Sequence, residues 1–342
     1  MRTAIALAAE GGAWPELVDY VVEAERLGVD ICWVAEAWGC DAPTPLAYLA
    51  AKTGRILLGS GIMQLGVRTP AMTAMTAMTL ARISNGRFLL GLGSSGPQVI
   101  EGLHGQPFAH PLGRMRETIE IVRKVFAGEK LTYDGRHFQL PRPGGEGKAL
   151  RLSQPANPGI PIYLATLSPK MLELTGEMAD GWLGTSFVPE AAATSLDHIA
   201  KGAAKSGRSL ADVDISQGAE VAFGDDVERM VAARKPGLAF SLGGMGSATT
   251  NFYNDAYARQ GFAGAAEEVQ ALWVAGRRDD AAAAVPDEMV LATTLLGTDD
   301  MVRARLRVWQ DAGVTTIRLY PAGRTVAERL ATLARAFDLL PA

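Results

Sequence analysis

The chain has 342 residues, 48% of them apolar, so it is long enough for one large α/β barrel or two smaller domains, with a sizeable core in either case. A net charge of −4 with acids and bases interspersed gives no basic field for nucleic acid or for a membrane surface. Cys32 and Cys40 are the two cysteines, and the sequence shows neither C-x-x-C nor histidines at metal-ligand spacing from them, which argues against a disulfide framework and a cysteine-bound zinc.

The chain opens on a short apolar run, Met1 to Ala8, and Glu10 arrives before any cleavage-site pattern, so the run reads as a first strand in a cytoplasmic protein. No apolar run approaches the length of a membrane span. Leu17, Tyr20, Val21, Ala24 and Leu27 recur at threes and fours, predicting a helix over 14–27 that Gly28 stops. Strand two is expected over 30–35, a short helix over 47–52, strand three over 55–63, a helix over 69–83 and strand four over 87–92. Met72, Met75 and Met78 in that helix read as core filling. An amphipathic helix through Leu112, Met115, Ile119, Val122 and Phe126 precedes a polar, glycine- and proline-rich segment. Strand five follows over 160–165, a helix through 172–178, strand six over 181–184 and strand seven over 213–223. Thr298 caps a helix over 299–312, strand eight spans 315–320, and a helix over 326–339 closes the chain.

Eight apolar strands alternating with helices predict a parallel sheet, and the length fits a single (β/α)₈ TIM barrel spanning 1–342. Two insertions are expected, about 133–155 after strand four and about 235–285 after strand seven, on the face where barrel enzymes keep their sites. Gly91, Gly93 and Gly96 spell the G-x-G-x-x-G of a dinucleotide-binding domain, but Pro97, Gly102, Gly105 and Pro107 interrupt the long helix that motif requires.

Chemistry in such a barrel belongs just past the strand ends. Glu36 and Trp38 follow strand two, where a carboxylate and an indole either meet a cofactor edge and supply a proton, or cap and pack. Gly61, Ile62, Met63 and Gln64 follow strand three with a permissive backbone. Gly93, Ser94, Ser95 and Gly96 end strand four with bare N–H groups and hydroxyls, and Thr166, Leu167 and Ser168 end strand five before a proline-led helix start, so both loops suit an anion. His104, His110, His137 and His198 lack triad or metal spacing, and no G-x-S-x-G, HExxH or P-loop is present.

Trp33-Val34-Ala35-Glu36-Ala37-Trp38, Leu58-Gly59-Ser60-Gly61-Ile62, the segment Ser84 to Gly93, Pro161 to Ala165 and Ala179-Asp180-Gly181-Trp182 together resemble the luciferase-like monooxygenase superfamily. Ser95-Gly96-Pro97-Gln98, Gly243-Gly244-Met245-Gly246 and Asn251-Phe252-Tyr253-Asn254-Asp255 resemble its deazaflavin-dependent branch more closely. The resemblance implies an oxidoreductase that binds coenzyme F420, or FMN in sister branches, at the carboxyl ends of the strands. It places a non-prolyl cis peptide between Gly61 and Ile62 and the phosphate-bearing tail near Ser94, Ser95, Gly96, Leu167 and Ser168. Dehydrogenases of the family carry an acid-histidine pair after strand two and a glutamate after strand four, where this chain has Glu36-Ala37 and Gly96. The resemblance therefore points to the methylene-tetrahydromethanopterin reductase side, with hydride moving to an unsaturated or carbonyl small-molecule substrate. Glu36 is then the candidate proton donor or ring-nitrogen partner, and Trp38, Met245, Asn251 and Tyr253 are candidate substrate walls. An FMN-dependent monooxygenase and a deazaflavin-binding protein without turnover are the competing expectations. Apolar helices outside the barrel suggest a homodimer.

Overall fold

A computed structural model describes residues 1–7, 13–247 and 249–341. The end of the expected first strand at Ala8, and Glu10, lie outside the described residues. Eight parallel strands close on themselves: β1 (Arg2–Leu7), β2 (Ile31–Val34), β3 (Leu57–Ser60), β4 (Phe88–Gly93), β5 (Ile162–Ala165), β6 (Gly181–Leu183), β7 (Asp214–Phe223) and β8 (Thr316–Pro321). Neighbours pair in chain order, and β8 returns to β1 in the register Arg2↔Thr316. All eight expected strands are present, with helices between them. The fold is a (β/α)₈ barrel.

Strand alternation separates two apolar layers. Ile5, Leu58, Leu90, Leu164 and Ile317 face outward against the helices. Ala4, Ile31, Trp33, Leu89, Tyr163 and Leu183 fill the interior. Trp33 is the largest of these, and it fits because Gly59 and Gly91 stand opposite it; a Cβ on Gly59 would lie 2.3 Å from the indole. The amino-terminal end of the barrel is plugged by Asp214, which meets Arg2 at 2.7 Å and accepts from Tyr163, Thr315 and Thr316. These contacts tie that end of the barrel across its strands.

Strand three departs from the expected single run. It stops at Ser60, and Met63–Gln64 resumes as a separate two-residue strand paired with Leu92 and Gly93. The Gly61–Ile62 peptide between them is cis, at the bond the family resemblance indicated. The methionine-rich helix, Pro70–Ile83, also differs from expectation: Met78 is core, but Met72 and Met75 face outward, 50% and 39% exposed. A spacing of three drifts around a helix of 3.6 residues per turn, so three such residues cannot share one narrow face.

The segment after β4 holds a small hairpin, Tyr133–Asp134 with Gln139–Leu140, anchored by Glu117, which accepts from the N–H groups of Arg136, His137 and Phe138. The insertion after β7 is helical and starts ahead of the expected 235, with the helix Val227–Ala232. It has its own core, including Leu242, Tyr257, Val269 and Met289, and ends in a strand the sequence reading missed, Thr294–Gly297, added along the far half of β7. Gln260 ties this insertion to the loop after β6, accepting from Val188 N–H at 2.8 Å and donating to Ser186 O at 2.6 Å. Arg259 does the same for the β5 loop, donating to Leu167 O at 2.8 Å.

Candidate active site

A cavity of about 510 Å³ opens at the carboxyl ends of the strands. Its wall takes Glu36 and Trp38 after β2, Gly61 and Ile62 after β3, Gly93 to Gly96 at the end of β4, Thr166 to Ser168 after β5, and Met245 and Tyr253 from the insertion. Thirteen of the sixteen residues singled out in the sequence therefore converge on one space, and three do not.

Met63 and Gln64 are among those three. Beyond the break at Gly61–Ile62 the chain turns under: Met63 enters the outer core, and Gln64 is 1% exposed with its amide donating to Ala37 O at 2.7 Å. Asn251 is the other. Its Oδ1 accepts from the N–H groups of Tyr253 and Asn254, and its Nδ2 donates to Leu242 O at 2.8 Å. It caps the helix Phe252–Tyr257 and so aims Tyr253 at the cavity without lining it.

Glu36 lines the cavity, yet its carboxylate is spent elsewhere. Oε1 accepts from Arg68 and from Gln64 N–H, and Oε2 accepts from Ala42 N–H at 3.1 Å. Its side chain is 8% exposed and that of Arg68 18%. One carboxylate thus pins the loops after β2 and β3 together through three donors. Arg68 was not picked out from sequence; an unassigned arginine a few residues beyond a strand end was the available signal.

The rest of the wall is neutral. Ser95 holds a left-handed backbone, φ 57°, an uncommon state for a residue with a side chain and a mark of a functional loop. Ser94 Oγ donates to Ser95 O at 3.3 Å. Ser168 precedes the ten-residue helix Pro169–Met178 but makes no capping bond, so its hydroxyl and the first N–H groups of that helix stay unspent at the cavity edge. Thr166 is turned away, bonded to Thr175 Oγ1 at 2.7 Å, and its carbonyl accepts from the Trp182 indole at 3.0 Å. Trp38 is 62% exposed at the rim. Tyr253 is half-buried, burial raises the pKa of its phenol, and its hydroxyl meets no partner among the described residues. Leu183 at the end of β6 and Thr185 just past it also line the space and were not singled out from the sequence, although the strand-end rule applies to them as well.

A barrel floor tied across by Asp214, a cavity over the carboxyl ends and hydroxyl-rich loops after β4 and β5 have the shape and polarity of a barrel enzyme's ligand site. The chain belongs to the luciferase-like monooxygenase family, whose model matches residues 1–316. A Mycobacterium tuberculosis protein named for coenzyme F420-dependent oxidoreductase activity is 44% identical over 305 residues, 87% of this chain and 88% of its own length. A 5,10-methylenetetrahydromethanopterin reductase of Methanolobus tindarius is 31% identical over 304 residues, covering 88% and 89%. Among solved structures, the coenzyme F420-dependent tetrahydromethanopterin reductase of Methanopyrus kandleri matches with a TM-score of 0.79 over 97% of each chain, at 22% identity.

Proposed function

We propose that this chain is a coenzyme F420-dependent oxidoreductase that moves hydride between the deazaflavin and an unsaturated or carbonyl small molecule. The family membership and the relative at 44% identity support the cofactor, and the cavity's donor set fits it. The observation that carries the fit is the pairing of an apolar bulge at Gly61–Ile62 with the polar loop Ser94, Ser95 and Gly96 and the uncommitted Ser168 hydroxyl around one space. The apolar bulge would back a flat ring, and the donors would hold the anionic tail.

When bound, the deazaflavin supplies the hydride. The chain orients that ring against the acceptor and excludes water, with Trp38, Met245 and Tyr253 as the acceptor's walls. Reduction also needs a proton. Both Glu36 carboxylate oxygens are engaged by Arg68 and by backbone N–H groups, so Glu36 acts as a clamp on two site loops, and Tyr253, whose phenol pKa burial raises, donates from its hydroxyl. The exposed Tyr48, Met72, Met75 and Ile83 on the outer helices support a homodimer.

Titration of the purified chain with F420 and with FMN, followed by tryptophan quenching, tests the cofactor. Tight F420 binding with weak FMN binding is the expected result. The reverse preference moves the chain to oxygen-consuming FMN chemistry, and tight F420 binding with no acceptor able to reoxidise it leaves a binding protein.

A further inference from the structure

Arg318 is a cation inside the barrel with no carboxylate beside it among the described residues. Its neighbours Ile317 and Leu319 belong to the outer core, so Arg318 points inward, and it is 6% exposed. Nε donates to the Tyr320 hydroxyl at 2.8 Å, Nη2 donates to Gly184 O at 2.9 Å, and Nη1 is buried without a partner. A buried guanidinium left unpaired carries a desolvation penalty, which makes a purely structural role an expensive use of the residue. Asp214 at the floor of the barrel is matched by Arg2, and Glu220 on the neighbouring strand by Arg234.

The bond to Gly184 reaches the active site through one peptide unit. The C=O of Gly184 and the N–H of Thr185 belong to the same plane and point to opposite edges. Thr185 lines the cavity, and its N–H finds no acceptor among the described residues. A cation on the carbonyl oxygen polarises the unit and strengthens that N–H as a donor, and the field of the guanidinium adds to it in a low dielectric. Glu36, the one charged residue in the wall, is already neutralised by Arg68.

We infer that the Gly184–Thr185 peptide, polarised by Arg318, binds the oxygen of the hydride acceptor and stabilises the negative charge that develops there. This deepens the hydride-transfer reading above and rests on it. Hydride adds to carbon, the π electrons of the C=O or conjugated C=C–C=O move to oxygen, and a proton from Tyr253 completes the reduction as the cofactor is oxidised. The acceptor class is a neutral ketone, aldehyde or enone; a cationic iminium would be repelled by the same field. Arg318 touches no reacting atom and is a positioning residue.

4-Nitrophenol is the probe, because its ionised form places a full negative charge on oxygen and is read by absorbance. Bound to the full chain without cofactor, its pKa should fall by about one unit or more, a roughly tenfold preference for the phenolate. Arg318→Gln and Arg318→Met should abolish the fall, Arg318→Lys should restore part of it, and Tyr320→Phe, which keeps the charge, should retain it. In the unaltered chain, 1-methylpyridinium should bind at least about tenfold more weakly than the phenolate, a comparison that needs no variant to fold. Absence of phenolate binding, equal binding of the cation, or a preference that survives Arg318→Gln overturns the inference. A shift that disappears when F420 is added assigns the N–H to the cofactor ring, which also overturns it. Failure of F420 to bind while the phenolate preference stays sensitive to Arg318 sinks the functional reading and leaves the polarised peptide standing.

Discussion

Glu36→Gln separates a loop clamp from a proton donor. The substitution keeps the shape but removes the charge facing Arg68, in a pair whose side chains are 8% and 18% exposed. One-sided loss of a buried partner costs about 3–5 kcal/mol, and the bonds an amide oxygen still accepts reduce this to about 2–3 kcal/mol. With 342 residues and about 2.1 cal/mol/K per residue, the unfolding entropy is about 0.7 kcal/mol/K, so Tm should fall by roughly 3–4 °C. Arg68→Met should cost a similar amount, and the double variant should cost less than the sum, with a coupling of about 2 kcal/mol. Thermal melts followed by circular dichroism measure all three. F420 affinity should weaken with the loosened loops, while the pH profile of turnover keeps its shape. Unchanged Tm together with a loss of turnover of about 10²-fold would refute the clamp and return Glu36 to the role of acid.

Tyr253→Phe should lower kcat by about 10–100-fold with little change in F420 affinity, and the basic limb of the pH–rate profile should move; an unchanged profile removes Tyr253 as donor. Gly91→Ala should abolish soluble expression, because a Cβ there would lie 1.8 Å from Ser60 O, a backbone atom with nowhere to go. A folded, active Gly91→Ala protein would show that β3 and β4 separate more easily than their packing indicates. Lys205 and Lys201 hold Glu173 down to about 2 from its ordinary 4.5. The folded value lies below the unfolded one, so this stabilisation is full above pH 4.5 and fades as pH falls toward 2. Acid unfolding curves of Glu173→Gln should lack that part of the pH dependence, and a curve parallel to the unaltered chain's would refute it.

The barrel was legible because each strand carries a compact apolar run and each connection carries helical periodicity, two signals set by local sequence. The site was legible where the rule is positional: Gly93 to Gly96 and Thr166 to Ser168 line the cavity because they lie at or just past strand ends. Direction is not legible where it depends on a single backbone irregularity. A continuous strand three would carry Met63 and Gln64 to the rim, whereas the break at Gly61–Ile62 sends one into the core and the other back to Ala37. Asn251 shows a different loss. Asparagine before a short helix is an N-cap signal, and a side chain that holds two N–H groups and two carbonyls has no group left for a substrate.

Glu36, Arg68 and Arg318 show why charge was the least readable part. The sequence places an acid after strand two but not the guanidinium that answers it 32 positions later. It places an arginine in strand eight without revealing that alternation turns it inward, to a layer where Asp214 is already matched. Which ionisable group is neutralised and which stays uncompensated is decided by contacts between strands distant in sequence. That decision makes the wall of this cavity electrically neutral while a cation lies one peptide behind it, an arrangement suited to an acceptor that arrives uncharged and gains negative charge only as hydride is transferred.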